Sequence, residues 1–287
     1  MKKTKDTQYL FLSANIRALQ TKMIGTQALQ KMISAASPEE AYKTVNDAGI
    51  GADIDYKDFE SALTQELAST YERLEKASDD PEMFKIFRYK YDGHNLKSLI
   101  KAHVSHSDAE PLLSPLGTVD CKTLRNGLRD GDFGDLNPQL ALAAVQARDS
   151  LAKANDTQRV DVIIDRAVLQ CMSELAKQYK SRFLNQLVEA YIDIANIRSF
   201  VRIKRIGQEL NFLKEVLAQG GSITVERYFE LYLKNFDDFF EMLDSTVYGP
   251  ALSSSYDAVK NKGSLSGFEK LCGNYMVGVL KQSRVVP

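Results

Sequence analysis

A chain of 287 residues with 44% apolar and 26% charged side chains can bury a substantial core and is too apolar for intrinsic disorder. Its 37 basic and 38 acidic side chains leave a formal charge of −1, which excludes a global polyanion-binding surface of the kind that nucleic acid selects. No window approaches the roughly 18 to 20 apolar residues of a membrane span, so any membrane role is expected to be peripheral.

Met1-Lys-Lys-Thr-Lys-Asp is charged and leads into no long apolar run, so no signal peptide is expected. From 9 to about 36 apolar residues recur at helical spacing through Ile16, Leu19, Met23, Ile24 and Leu29, which predicts one long amphipathic helix. Ser37-Pro38-Glu39-Glu40 carries a capping signature for a short helix to about Asp47, stopped by Gly49-Ile-Gly51. A 3.6-residue pattern resumes over 56–76 through Phe59, Leu63, Leu67, Tyr71 and Leu74. Asp80-Pro81 opens a further helix that fades near Ser105. The segment 106–120, with Pro111, Pro115 and Gly117, is punctuated and aperiodic and reads as a linker. Asn137-Pro138 starts an Ala-rich helix to about Ala154, and Asn155-Asp156-Thr157 caps a run over 160–179. A long helix over 182–206 follows, and some 25 helical residues would span about 37 Å. Gly207 or Gly220-Gly221 marks the next break.

The helix over 182–206 contains a near copy of an earlier segment. Asp92, Asn95, Lys97, Ser98 and Lys101 fall on Asp193, Asn196, Arg198, Ser199 and Arg202 at a constant spacing of 101 residues, and Leu96, Leu99 and Ile100 fall on Ile197, Phe200 and Val201. A second match aligns the stretch from Ser37 to Gly51 with that from Asn235 to Gly249 at a spacing of 198 residues, close to twice the first. A period of about a hundred residues accounts for both, and internal periods of this kind define fold organisation. Three helical units are therefore expected, 1–106, 107–207 and 208–287. A third copy of the Asp-x-x-Asn motif would begin near position 294, so the third unit is expected to be incomplete. No alternating strand pattern competes, and the fold class is all-α.

Candidate chemistry is sparse. Asp237-Asp238-Phe-Phe-Glu241 resembles the acidic metal motif of helical terpenoid synthases, in which clustered carboxylates hold Mg²⁺ on a diphosphate. Only 46 residues follow Glu241, too few for the second metal-binding helix of such enzymes. The acidic pair also matches Glu39-Glu40 in the repeat, where acids complement a helix N-terminus. His103-x-x-His106, with His94 in the same helix, lacks further ligands for a metal. Asp130-Gly-Asp-Phe-Gly-Asp135 places its Gly at loop position five instead of the six a calcium loop needs. No phosphate loop, dinucleotide fingerprint or nucleophile elbow is present. Neither an enzyme nor a metal, cofactor or nucleotide site is expected. Cys121, Cys171 and Cys272 are odd in number and widely spaced, as in a reducing compartment. What remains is a basic row: Arg198, Arg202 and Arg205 at i, i+4, i+7, with Lys97 and Lys101 at the matching places of the first copy. These five are candidates for meeting an acidic partner or pairing with acids inside the bundle, Asp92 and Asp193 among them. Asp92, Asn95, Asp193 and Asn196 are candidates for a structural role in the repeat, each pair holding its own wall together.

Tyr-Leu-Phe-Leu-Ser-Ala-Asn-Ile-Arg17, Asp92-Gly-His-Asn-Leu-Lys97, Asp193-Ile-Ala-Asn-Ile-Arg198, Asp244-Ser-Thr-Val-Tyr-Gly249 and Asn274-Tyr-Met-Val-Gly278, in this order, resemble the C-subunit family of prokaryotic V/A-type ATPases, equivalent to the d subunit of the eukaryotic enzymes. The resemblance implies a funnel of three pseudo-threefold-related helical domains without catalytic activity. It would sit on the cytoplasmic face of the membrane proteolipid ring and receive the central stalk built from the D and F subunits, coupling ATP synthesis or hydrolysis to ion transport. The family continues past the position of Pro287 with a helical segment carrying an acidic third version of the motif. Two other readings stay open: a metal-dependent synthase on Asp237, Asp238 and Glu241, and a generic helical-repeat scaffold with stacked units.

Overall fold

The computed structural model describes residues 9–261 and 263–282, so residues 1–6, read above for a signal peptide, lie outside the described residues. Every regular element among them is helical: α1 (Leu10–Gln20), α2 (Thr26–Ile33), α3 (Pro38–Asp47), α4 (Phe59–Ala77), α5 (Lys85–Ser105), α6 (Cys121–Asp130), α7 (Pro138–Ala154), α8 (Thr157–Gln178), α9 (Arg182–Ile206), α10 (Leu210–Val216), α11 (Val225–Tyr232), α12 (Phe236–Asp244), α13 (Gly249–Leu252), α14 (Tyr256–Lys260) and α15 (Ser266–Gln282).

Local chemistry sets most of these limits. Ser37 Oγ accepts from the Glu40 amide at 3.2 Å, and Glu40 Oε2 accepts from the Ala36 amide at 2.8 Å, satisfying one donor that the first turn of α3 leaves free and one just ahead of the helix. The matching residue Asn235 accepts from the Asp238 amide at 3.0 Å at the start of α12. The two helices also bury the same face, Tyr42 and Val45 in one and Phe240 and Leu243 in the other. Asn137 and Asp156 cap α7 and α8 in the same way. Gly207 closes α9 with φ +68°, a backbone state in which a residue without Cβ meets no steric penalty.

The structure departs from the expected elements at three points. The predicted single helix over 9–36 is two helices. Thr21 turns its hydroxyl back onto Ala18 O at 2.8 Å, and Gly25, about 1 kcal/mol worse than Ala inside a helix, adopts an extended backbone and begins α2 instead. Residues 121–129, for which no element was expected, lie in α6, whose N-cap Asp120 accepts from the Thr123 amide at 2.7 Å. The closing Gly of the 198-residue match is not one conformation: Gly51 has φ +65° beneath the Tyr42 hydroxyl, whereas Gly249 is the first residue of α13.

Among the described residues, buried apolar side chains gather in three clusters. The largest unites α5, α7 and α8 with the first half of α9, around Leu96, Leu140, Ile164, Cys171 and Ile192. A second surrounds the other half of α9 with α11, α12 and α15, around Ile197, Phe200, Tyr228, Phe239 and Phe268, where Phe200 and Phe239 stack at 4.3 Å. A small third cluster holds Tyr42, Val45 and Ala62. One helix of 25 residues, α9, thus belongs to two cores, the change falling between Ile192 and Ile194. No helix among the described residues is long and apolar enough to cross a membrane.

Candidate functional site

The Asp-x-x-Asn motif is the most organised polar feature of the molecule, and both copies do the same work. On a helix, residues three apart share a face, so Asp92 and Asn95 both point from α5 toward the loop ahead of α6. Asn95 Nδ2 donates to Ser114 O and its Oδ1 accepts from Ser114 N, each at 2.8 Å, completing both backbone groups of one loop residue as a strand partner would. Asp92 accepts from Thr118 N at 2.8 Å and Thr118 Oγ1 at 2.7 Å. On α9, Asn196 binds both backbone groups of Ala218 at 2.8 and 2.9 Å. Asp193 accepts from Ser222 N at 2.8 Å, Ser222 Oγ at 2.6 Å and Ile223 N at 3.1 Å. All four motif side chains are buried, where an unpaired polar group would cost about 1–3 kcal/mol. The segment 106–120, read as a linker, is held by this clamp.

The loops share a signature that fixed-offset alignment misses. Gly117-Thr118-Val119 and Gly221-Ser222-Ile223 stand 104 residues apart, against 101 for the motif helices, so three extra residues in the second copy shift the clamped half out of register. Glycine is required in both. A Cβ at Gly117 or Gly221 would stand within 3.0 Å of the Asp92 or Asp193 carboxylate.

Electrostatics differ between the copies. Burial pushes the Asp92 carboxyl above the ordinary aspartate range, and the Thr118 hydroxyl and amide hold it partly back. Asp193 receives one more donor, the buried Tyr248 hydroxyl at 2.6 Å, from the Asp244-to-Gly249 stretch. Burial first, and the bond to Asp193 second, push that phenol far above its usual value. Sequence reading misses Tyr248, which stands 55 residues downstream of the carboxylate it binds.

The basic row is engaged within the molecule. Lys97 pairs with Asp165 at 2.6 Å and Lys101 with Asp161 at 2.5 Å, both on α8. Arg202 pairs with Glu269 of α15 at 2.5 Å, and Arg198 meets the same carboxylate. Their acids are therefore on packed neighbour helices, and Asp92 and Asp193 serve the loops instead. Arg205 makes no ion pair among the described residues and borders an open depression with Arg202, Ile206 and Leu265. Lys204, also missed, donates to Tyr232 O at 2.5 Å, at the end of α11, and to Lys234 O at 2.6 Å just past it, among the rings of Phe200, Tyr232 and Phe236.

The alternative sites do not assemble. Asp237 is taken by Lys260 and Tyr256, and the Asp238 amide is bonded to its cap. No group of three potential ligands among the described residues could hold a metal ion. His106 follows the last residue of α5 with a left-handed backbone, φ 52°. Asp132 bonds the Gly134 amide in a plain turn. Cys171 and Cys272 are buried thiols pushed up to about 12 by burial, so neither is a poised nucleophile.

A model of the family described as ATP synthase (C/AC39) subunit matches residues 12–287. The chain is similar to the C subunit of the V-type sodium ATPase of Enterococcus hirae, 25% identical over 249 residues that cover 85% of this chain and 76% of that protein. It is similar to the C subunit of the A-type ATP synthase of Desulfurococcus sp., 22% identical, with 95% of this chain and 77% of that protein covered. For the corresponding A-type ATP synthase protein of Haloferax volcanii the identity is 25%, with 91% and 80% covered.

Proposed function

The chain belongs to the ATP synthase (C/AC39) subunit family, and from that premise we propose that it couples the two halves of a rotary V/A-type ATPase. As a member of that family it is a structural subunit of an ATPase complex rather than a catalytic one. In the proposed role it rests on the membrane proteolipid ring at the cytoplasmic face and receives the central stalk built from the D and F subunits. Its units, 1–106, 107–207 and 208–287, form the walls of a funnel. The observation that carries this reading is the family match, which runs through both motif helices and their clamped loops.

The clamps support a coupler. A part that transmits torque must not yield where its helices meet, and each motif helix is tied to the following unit by at least four hydrogen bonds from buried side chains. Of the five basic residues, four are already paired with acids of α8 or α15, so we assign the contact with an acidic partner chiefly to Arg205. Lys97, Lys101, Arg198 and Arg202 shape that surface from beneath.

The test is co-purification of the tagged chain with the detergent-solubilised ring and, separately, with the D–F pair. Retention of both is expected, and Arg205→Glu is expected to weaken capture of one of them. A protein that captures neither is not a coupler.

A further inference from the structure

The first clamp has a third member that the second lacks. Arg88 stands one turn before Asp92 on α5, on the same face of the helix. Its Nε donates to Leu116 O at 3.0 Å and its Nη2 to Gly117 O. The peptide group joining Gly117 to Thr118 is therefore gripped at both ends, its carbonyl by Arg88 and its N–H by Asp92. That group is planar, and hydrogen bonds joined in a chain polarise one another. Tilting the carbonyl away from Arg88 turns the Thr118 N–H away from Asp92.

The other side of Arg88 reaches back along the chain to α4. Its Nη1 donates to Glu75 Oε1 at 2.8 Å, and the guanidinium lies 5.6 Å from the centre of the Tyr71 ring, within cation–π range. The Arg88 and Glu75 side chains are 23% and 25% exposed, so solvent and salt screen this pair less than a fully exposed one. The buried cluster of α3 and α4 around Tyr42, Val45 and Ala62 shares no residue with the core to which α5 belongs. Arg88 thus ties together two bodies that have no buried core in common.

The second copy is built differently at this point. The spacing of 101 residues puts Glu189 where Arg88 stands. An ionised carboxylate has no proton to donate to the Gly221 carbonyl, and Glu189 is exposed, without an ion pair among the described residues.

We infer that Arg88 is a linkage through which the position of α4 sets the state of the first clamp, and that the second clamp has no counterpart to it. A load on α1 to α4 reaches the 106–120 loop through this side chain. The inference rests on hydrogen-bond geometry and is independent of the coupling role.

The linkage is read by amide hydrogen exchange at Thr118 in the whole protein, with circular dichroism confirming that each variant is folded. Glu75→Ala removes the anchor on α4 and is expected to speed exchange at Thr118 about threefold or more, with Ser222 of the second clamp unchanged. Glu72→Ala takes an acid from the same helix whose partner, Lys76, also lies on α4, and leaves Thr118 unchanged. Arg88→Met speeds Thr118 by itself, and Glu75→Ala added to it has no further effect. Exchange at Thr118 that ignores Glu75→Ala, or that rises equally with Glu72→Ala or equally at Ser222, overturns the inference. So does a Glu75→Ala effect that persists beside Arg88→Met, which would mark a general loosening of α4. Should Arg88→Met not fold, the comparison of Glu75→Ala with Glu72→Ala decides.

Discussion

The α5 and α9 clamps are written with the same letters and end in different structures. Asn95 and Asn196 act identically, each completing both backbone groups of a loop residue. The carboxylates diverge. Asp92 holds one loop, whereas Asp193 holds the equivalent loop and also the Tyr248 hydroxyl from the segment between α12 and α13. A motif therefore specifies which helix meets which loop, and the element that arrives next decides how much structure depends on it.

Removing the two carboxylates separates the clamps by the largest expected effect. Asp193→Ala strands the Ser222 amide and hydroxyl, the Ile223 amide and the Tyr248 hydroxyl without their acceptor, and is expected to cost about 4 kcal/mol in denaturant unfolding; Asp92→Ala, with fewer donors stranded, costs about 2 kcal/mol. Equal losses would mean that Tyr248 adds nothing. Gly→Ala at either clamp loop comes next. Such a change commonly stabilises a compatible site by about 0.4–1 kcal/mol, but Gly117→Ala and Gly221→Ala are expected to destabilise by about 2 kcal/mol as the new methyl group displaces the carboxylate. Hydrogen exchange should then speed selectively at the Thr118 or the Ser222 amide, and uniform exchange would refute the local account. Tyr248→Phe keeps the ring and removes the extra donor, so a loss of about 1 kcal/mol is expected, with little further loss when it is combined with Asp193→Ala.

The smallest effect is in pH. The Asp92 carboxyl is raised in the folded state, so between its unfolded and folded values the native protein holds a proton that the unfolded chain has released. Its contribution to stability is present below the ordinary aspartate value of 3.8 and is lost as pH rises through the raised folded value. The melting temperature of the wild type relative to Asp92→Asn should accordingly fall across that window. A difference independent of pH would contradict the burial of an ionising group there.

The helices are legible in the sequence in proportion to how amphipathic and well capped they are. The limits of α9 can be read because Ser181 and Gly207 frame twenty-five periodic residues, and the Ser37 and Asn235 caps announce α3 and α12. α6 escapes because its ten residues are mostly polar and bury only Leu124 and Gly127. The helix break near Gly25 escapes because apolar spacing runs straight across it. Asp92, Asn95, Asp193 and Asn196 are readable as a repeat, yet their partners are not. A three-residue difference in loop length hides the matching Gly117-Thr118 and Gly221-Ser222, and side chains that meet across sixty or more residues, such as Lys97 with Asp165 or Arg202 with Glu269, leave no local trace in a single sequence.

The sharing of α9 between two cores has a consequence during synthesis. Its first half can bury Leu184, Val188 and Ile192 as soon as it emerges, because α5, α7 and α8 precede it. Its second half, Ile194 to Ile203, must wait for Tyr228, Phe239 and Phe268. At about 5 to 20 residues per second, the stretch from Ile206 to Cys272 takes roughly 3 to 13 seconds to translate. For that interval the nascent chain carries a nearly complete core on one end of a rod and a bare apolar stripe on the other, so the ribosome-bound intermediate presents one defined segment, 194–203, to whatever chaperone meets it.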